Sequence, residues 1–202
     1  MSSAKSSGES SAKRSGRPVD RRVQKTRQLL SDALVSLVLE KGYDEVSIQD
    51  IIDRANVGRS TFYSHYENKE QLLLFGHEHL RALILREEDG PIDFVPFYRH
   101  LSEVHALAGR LLAAEASAEV LTRSLHDILN GSICRVHAAR RTPEEHTLFT
   151  LRADAAAAAL VQLMTSWVQK GMPCSPDQMA EESTALLQRV LRLVERAPDR
   201  TP

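Results

Sequence analysis

Residues 59–69 combine many hydrogen-bonding side chains with few apolar ones. The polar and aromatic members of this segment are Arg59, Ser60, Thr61, Tyr63, His65, Tyr66 and Lys69, with Phe62 as the apolar anchor. Hydroxyl groups and backbone amides at a helix N-terminus suit phosphate oxygens, and an arginine pairs well with guanine. These residue types therefore predict contacts with DNA phosphates and base edges. The structural alternative is a helical hairpin with a solvated polar face.

Two short helices and a tight turn are predicted to position this segment. Ser47 and Asp50 have the spacing of a capping box at the start of the first helix. Residues 56–58 then form a turn that contains Gly58, and the second helix covers about residues 59–65. This arrangement is typical of a helix-turn-helix, whose second helix enters the major groove of DNA.

Helical periodicity and start signals continue along the chain, and no segment alternates as a strand does. Gly42 suits the left-handed conformation after the first helix. The residues predicted to start later helices are Asn68, Asp93, Ser117, Thr142 and Ser175. The predicted helices cover approximately residues 23–41, 47–55, 59–65, 68–87, 93–104, 110–115, 117–139, 143–170 and 175–197. The sequence therefore predicts an all-α fold of about nine helices.

Charge is distributed unevenly although the chain of 202 residues has a formal net charge of −1. Residues 1–28 contain eight basic and two acidic side chains, so the remainder of the chain is acidic. Residues 1–16 lack an apolar period and are expected to be disordered. Two interpretations stay open for them, a solubilising tail and a basic arm that contacts DNA phosphates or a minor groove.

Composition excludes several classes of protein. A hydrophobic content of 42% argues against wholesale disorder. Cys134 and Cys174 are too few and too distant in sequence for a disulfide scaffold. The N-terminus lacks an apolar core typical of a secretory signal, and the longest apolar stretch, residues 155–164, is too short to span a bilayer. A cytoplasmic protein without a membrane partner is therefore expected.

Residues 23–72 resemble the DNA-binding domain of the TetR family of bacterial transcriptional regulators. The matching motifs are Thr26-Arg27, Lys41-Gly42-Tyr43, Val46-Ser47-Ile48, Asp50-Ile51, Ala55-Asn56-Val57-Gly58, Ser60-Thr61-Phe62-Tyr63, His65-Tyr66 and Asn68-Lys69-Glu70. The resemblance covers about a quarter of the chain. It implies a basic arm at residues 1–20, a DNA-binding domain at residues 21–70 and a C-terminal ligand-binding and dimerisation domain at residues 71–202.

The resemblance also assigns roles by position. Thr26 and Ser47 are expected to hold phosphates at helix starts. The recognition helix is expected to use Arg59, Ser60, Thr61 and Tyr63, and the phosphate clamp after it is expected to use His65, Tyr66 and Lys69. The expected core residues are Val46, Ile48, Ile51, Ile52, Ala55, Val57, Phe62 and Leu72.

For the C-terminal domain, the resemblance implies a homodimer through the last two helices. Small side chains at residues 155–159 suit close helix approach. An apolar stripe on the last helix consists of Ala185, Leu186, Leu187, Val190, Leu191 and Val194. The alternative for both features is an intramolecular core.

A small-molecule pocket is also implied by the resemblance. The candidate lining residues are Phe97, Tyr98, Leu101, His105, His126, Ile133, Met164 and Trp167, together with Phe94 and Leu129. Each of these residues has core packing as its alternative role. Arg110 or Arg152 could meet an anionic ligand. Nothing in the sequence identifies the ligand.

The motifs of enzymes and metal sites are missing from the sequence. There is no G-x-S-x-G elbow, P-loop or G-x-G-x-x-G. His77 and His79 point to different helix faces, and His100 and His105 are spaced too far apart for a good chelating pair. We therefore expect no enzyme, cofactor or metal. The expected function is a dimeric repressor that binds a pseudo-palindromic operator and is released by an effector. The alternatives are a helical interaction protein and a constitutive or activating regulator without an inducer.

Overall fold

The computed structural model describes residues 18–77, 80–84, 92–136 and 142–192. Within these ranges the chain forms ten α-helices and no β-strand, which confirms the all-α prediction. The helices are α1 (Pro18–Lys41), α2 (Ile48–Ala55), α3 (Arg59–Tyr63), α4 (Lys69–His77), α5 (Leu80–Ile84), α6 (Val95–Glu103), α7 (His105–Ala113), α8 (Glu115–Val136), α9 (Pro143–Gln169) and α10 (Pro176–Arg192).

The predicted start of the first helix is wrong by five residues. Helix α1 begins at Pro18 rather than Val23, because proline is well tolerated in a first helical turn, where its missing amide has no partner to lose. Residues 18–20 therefore belong to α1 and not to the basic arm. Residues 1–17, which hold the rest of the predicted arm, lie outside the described residues.

Several residues at helix ends adopt the conformations that the sequence predicts for them. Gly42 adopts a left-handed φ of 85° after α1, and Asn56 does so at the end of α2 with a φ of 51°. Thr142 and Glu145 form a reciprocal capping box at the start of α9. These local hydrogen bonds satisfy backbone groups that a helix end leaves without partners.

Other boundaries differ from the prediction. The helix expected at 110–115 is α7, which starts at His105, and α8 starts at Glu115 rather than after Ser117. Ser117 is buried inside the first turn of α8, where its hydroxyl donates to the carbonyl oxygen of Leu111 (2.6 Å). The predicted ends of helices at residues 87, 139 and 197 lie outside the described residues.

Two hydrophobic clusters fill the interior. The N-terminal cluster is formed by α1–α4 and includes Leu111 of α7 and Leu121 of α8. The main cluster is formed by α5–α10 and contains buried residues such as Phe97, Leu160 and Trp167. Six of the residues expected in the core of the DNA-binding domain are buried, while Ile48 and Val57 pack half-buried against them.

Helix α9 is the central element of the C-terminal half. It contacts α7, α8 and α10, and it buries Ala156 and Ala157 completely. By length and composition alone α9 is apolar enough to cross a membrane. Because Leu160, Met164 and Trp167 are buried in the main cluster, its apolar character serves the core of a folded domain.

Candidate DNA-binding surface and effector cavity

Helix α3 presents a polar face on a firmly anchored turn. The Phe62 side chain has no exposed surface, so it fixes α3 to the N-terminal cluster. Arg59 and Ser60 are exposed, and Tyr63 is 46% exposed. The Arg59 guanidinium carbon lies 5.7 Å from the centre of the Tyr63 ring, which groups these two side chains on one surface.

The remaining members of the predicted recognition surface are less accessible. Thr61 and His65 are half-buried. Helix α3 ends at Tyr63, two residues earlier than predicted, and Ser64 forms its C-cap. His65 therefore lies after the helix rather than at its end.

Ser47 caps α2 through hydrogen bonds to Asp50. The hydroxyl and the amide of Ser47 both donate to Oδ2 of Asp50, at 2.6 and 2.8 Å, and the Lys41 ammonium lies 2.9 Å from the same oxygen. The Ser47 hydrogen bonds, followed by Lys41, hold the pKa of the Asp50 carboxyl well below its usual range. A phosphate contact by the Ser47 hydroxyl would replace its bond to Asp50.

The Thr26 hydroxyl likewise forms a hydrogen bond within its own helix. It donates to the carbonyl oxygen of Arg22 at 3.0 Å, and the residue is half-buried. Thr26 therefore lies inside α1, which begins at Pro18, and not at a helix start as expected, whereas Ser47 is the N-cap of α2. The hydroxyl protons of both residues are already bound.

Tyr66 does not fit the expected phosphate clamp. It is 5% exposed, and its ring packs 6.0 Å from that of Phe62 and 5.9 Å from that of Phe75. Because α3 ends at Tyr63, the chain turns Tyr66 inward, where its ring joins the N-terminal cluster. Tyr66 is therefore a core residue and not part of the expected phosphate clamp.

Lys69 does not fit the clamp either. Its ammonium donates to the carbonyl oxygens of Tyr43 and Val46, at 2.9 and 3.0 Å, and lies 4.2 Å from the centre of the Tyr43 ring. The group therefore joins the start of α4 to the loop between α1 and α2. Two of its donors therefore point into the domain, which favours a structural role.

An ion pair that the sequence analysis missed joins α1 to α2. Arg54 donates from its two terminal nitrogens to the two carboxylate oxygens of Glu40, both at 2.7 Å, and also to the Ser36 hydroxyl. The hydrogen bonds from Arg54 lower the pKa of Glu40. This forked geometry orients α2, and hence α3, relative to α1. Its only sequence signal is a basic residue in the last turn of α2.

A cavity of about 310 Å³ lies between the two hydrophobic clusters. It is lined by residues from both, including Val38 and Leu121 of the N-terminal cluster and Phe97 and Leu125 of the main cluster. The polar lining residues are Gln28, Ser31, Asp32, His100, Thr122 and Thr165. The size and apolar lining are those of a site for a small organic molecule.

Three predicted ligand residues, Phe97, Leu101 and Met164, line this cavity. The other seven candidates do not, and two of them, Phe94 and Leu129, are buried in the main cluster. Ile133 is a fully buried core residue, and the Tyr98 hydroxyl is bonded to that of Ser183 at 2.7 Å. Trp167 donates to the carbonyl oxygen of Cys174 at 3.0 Å and packs edge-on against Tyr98.

The two histidines predicted for the pocket lie elsewhere. His105 is exposed, with Nδ1 3.2 Å from the carbonyl oxygen of Ser102. The Nε2 atom of His126 lies 3.3 Å from Oδ1 of Asp154, between α8 and α9. Neither Arg110 nor Arg152 lines the cavity.

The DNA-binding domain also contributes to the cavity, which the sequence pattern did not predict. Gln28, Ser31 and Asp32 of α1 and Leu72 and Leu73 of α4 all line it. The three polar residues have the spacing of one helix face, which is the only signal that could have indicated a shared site.

Helix α9 carries an apolar stripe on its outer surface. Leu148 and Leu151 are 53% and 63% exposed, and Ala155, Ala158 and Gln162 continue at alternating spacings of three and four residues, all exposed. By contrast, Leu187 of the predicted α10 stripe is buried, while Ala185, Leu186, Val190 and Leu191 are half-buried; Val194 lies outside the described residues.

Comparison with known proteins relates the N-terminal domain to one family of bacterial regulators. Residues 30–74 match the family described as "Bacterial regulatory proteins, tetR family". A probable acrEF/envCD operon repressor of Escherichia coli K12 is 34% identical over 76 residues, which are 36% of this chain and 34% of that protein. The chain covers between 15% and 37% of the length of the first curated relatives that it matches.

Two solved structures extend the similarity beyond the N-terminal segment. A TetR transcriptional regulator from Streptococcus agalactiae 2603V has a TM-score of 0.54 and 26% identity, with 88% of this chain and 98% of that chain covered. The dihydroxyacetone kinase operon activator DhaS shares the fold, with a TM-score of 0.60, 17% identity, and 83% and 97% of the two chains covered. The match over residues 30–74 therefore identifies the helix-turn-helix segment as a DNA-binding domain of the tetR family of bacterial regulatory proteins, and the described residues as a whole share the fold of these two solved structures.

Proposed function

We propose that this protein is a DNA-binding transcriptional regulator that reads its operator with α3. The observation that carries the proposal is the exposed group of Arg59, Ser60 and Tyr63 on a helix anchored by Phe62. An anchored helix with exposed donors can enter a major groove without rearranging the domain that holds it. Backbone contacts would come from the first turns of α2 and α3, with Arg59 and Tyr63 at the base edges.

We further propose that the protein is a homodimer. The exposed stripe of Leu148, Leu151, Ala155 and Ala158 on α9 supports this, because an apolar stripe of this spacing suits helix-to-helix packing. Two recognition helices related by a two-fold axis would then read a pseudo-palindromic operator. Relative to the sequence prediction, α9 supplies most of this interface and α10 mainly packs on the core.

A small-molecule effector is the proposed regulator of DNA binding. The cavity supports this, since it touches α1 and α4 of the DNA-binding domain as well as α6–α9. A molecule that fits one arrangement of these helices better than another would shift the separation of the two recognition helices. Release of an operator on effector binding makes the protein a repressor. Activation is the alternative, and the DhaS activator of the same fold is its precedent.

The family context also indicates where the protein works and what it lacks. Regulators of this kind act in the cytoplasm, where the chromosome is. They are generally not enzymes, and the proposed mechanism requires no catalytic group or cofactor. A helical interaction protein that has lost DNA binding remains the competing function.

DNA selection followed by fluorescence anisotropy tests the proposal. Duplexes selected from a random library, and the DNA upstream of the protein's own gene, provide the probes. Arg59→Ala should weaken specific binding about 10- to 100-fold, because a bidentate base contact contributes about 1–3 kcal/mol of discrimination. Arg123→Ala is the control, since Arg123 is an exposed residue of α8 that pairs with Glu119. Equal affinity of the Arg59→Ala and wild-type proteins would contradict the proposed recognition surface.

A further inference from the structure

The cavity between the two clusters has an unusual distribution of polar groups. Among the described lining residues Asp32 is the only carboxylate, and there is no lysine or arginine. The site therefore has negative or neutral character at the end formed by α1. Such a site disfavours anions and accepts neutral molecules or cations.

Four of the polar lining residues, Gln28, Asp32, Thr122 and Thr165, offer acceptors to a ligand. The Thr122 hydroxyl donates to the carbonyl oxygen of Ala118 at 2.6 Å, and that of Thr165 donates to the carbonyl oxygen of Gln162 at 3.1 Å. Their remaining lone pairs face potential ligands as acceptors. The Gln28 amide donates one of its two N–H groups to Oδ1 of Asp32 at 2.8 Å, which leaves its second N–H as a donor and its carbonyl oxygen and the second carboxylate oxygen as acceptors.

The apolar part of the lining belongs to both hydrophobic clusters. Leu72 and Leu111 come from the N-terminal cluster, and Phe97, Leu125 and Met164 come from the main cluster. An apolar group in this space would remove surface from water on both clusters at once. Its burial would therefore stabilise one particular packing of the DNA-binding helices on the C-terminal helices.

We propose that the effector is an apolar molecule with a protonated amine, whose apolar body fills the space between the two clusters and whose ammonium faces Asp32. This inference rests on the proposed effector function and specifies the chemistry of its ligand. An ammonium supplies both the donors and the positive charge that this lining matches. Because Asp32 is an exposed residue of α1, an ammonium beside it stays partly hydrated. The charge of the ammonium therefore contributes only modestly to the affinity.

Three naphthalene probes that differ only in their polar group test this inference. They are 1-naphthylmethylamine, 1-naphthalenemethanol and 1-naphthoate, measured by calorimetry on the full chain at about pH 8, where an ordinary imidazole is neutral. The amine should bind about fivefold more tightly than the alcohol, and the carboxylate most weakly. Because this order of affinities is measured on the wild-type protein alone, it does not depend on whether a variant folds.

The Asp32→Asn variant then tests whether Asp32 causes the preference for the amine over the alcohol. The ratio of amine to alcohol affinity should fall from about five to about one. Asp53→Asn is a matched control. Asp53 accepts a 2.8 Å hydrogen bond from Gln49, one helical turn before it, just as Asp32 accepts one from Gln28. Unlike Asp32, Asp53 does not line the cavity. The ratio should keep its wild-type value in this control.

The outcomes separate this inference from the proposed function. Equal binding of amine and alcohol, tightest binding of the carboxylate, or an unchanged ratio in Asp32→Asn would overturn the proposed chemistry while leaving an effector site in place. Failure of all three probes to bind would overturn the amine proposal together with the cavity as the effector site. Operator binding, measured separately, would stand in either case.

Discussion

The ammonium of Lys69 lies 4.2 Å from the centre of the Tyr43 ring and donates a hydrogen bond to the carbonyl oxygen of the same residue. Tyr43 is fully buried, and its burial, reinforced by nearby carboxylates, raises the pKa of its hydroxyl. The first residue of α4 is thereby joined to the loop that connects α1 and α2. The lysine that begins the next helix after α3 thus stabilises the domain that presents the recognition helix.

Lys69→Met should lower the free energy of unfolding by about 2 kcal/mol. The variant keeps the aliphatic stem but loses the cation–π contact and two hydrogen bonds. Urea denaturation at fixed protein concentration measures this loss, and Lys170→Met, at an exposed position after α9, should have little effect.

The same variant separates a structural lysine from one that binds a phosphate. At a temperature where it is folded, Lys69→Met should retain the wild-type slope of log K against log salt concentration. If Lys69 neutralised a phosphate, its replacement would reduce that slope by about 0.9, and such a reduction would contradict the structural role.

The sequence predicted those features that local chemistry determines. Capping boxes at Ser47 and Thr142, the left-handed Gly42 and the buried Phe62 all depend on residues within a few positions. The roles of Tyr66 and Lys69 depend instead on tertiary contacts. Tyr66 packs on Phe75, and Lys69 donates to carbonyl oxygens of residues 26 and 23 positions before it, which local spacing does not indicate. The predicted end of α3 was also late by two residues, since boundaries are the weakest part of a periodicity argument.

The cavity was predicted less well, for a different physical reason. Its lining comes from helices that are distant in sequence, and only the packing of α1 and α4 against α6–α9 brings Asp32 near Leu101 and Thr165. Helical spacing indicates that Tyr98, Ile133 and Trp167 face inward, but it does not tell an inward side chain that lines a cavity from one that fills the core.

Removal of residues 1–17 tests the basic arm. The deletion leaves α1 intact from Pro18 and removes Lys5, Lys13, Arg14 and Arg17. For each phosphate that the arm neutralises in the wild-type protein, the salt slope of DNA binding should become shallower by about 0.9. A full-length variant with the four basic residues replaced by glutamine controls for chain length. An unchanged slope in both proteins would favour the solubilising tail.

Leu151→Glu tests the outer stripe of α9 as the dimer interface. A charge in the centre of a helix-to-helix contact is costly to bury, so the variant should sediment as a monomer at micromolar concentration. It should also lose most of its operator affinity, because a monomer reads only one half-site.

Leu39→Glu serves as the matched control for the interface. Leu39 is a 41% exposed leucine of α1, away from the α9 stripe, so this variant should remain a dimer. Dimers of Leu151→Glu at the same concentration would show that another surface holds the two chains together.

Variants of Tyr98 and Ser183 test whether the hydrogen bond between α6 and α10 stabilises the fold. Both residues are fully buried, and their hydroxyl oxygens lie 2.7 Å apart. Burial raises the pKa of Tyr98 to about 12, so its hydroxyl keeps its proton over the working pH range. Each single variant, Tyr98→Phe or Ser183→Ala, should lower the free energy of unfolding by about 1–2 kcal/mol, because it leaves one buried hydroxyl without this partner.

The double variant Tyr98→Phe/Ser183→Ala completes the cycle. Removal of both hydroxyls leaves neither buried without its partner, so its loss should be smaller than the sum of the single losses by about 1 kcal/mol. Urea denaturation of the four proteins measures this difference. Strictly additive losses would show that the two hydroxyls stabilise the protein independently, and a loss of probe binding in Tyr98→Phe with unchanged stability would instead return Tyr98 to the effector site.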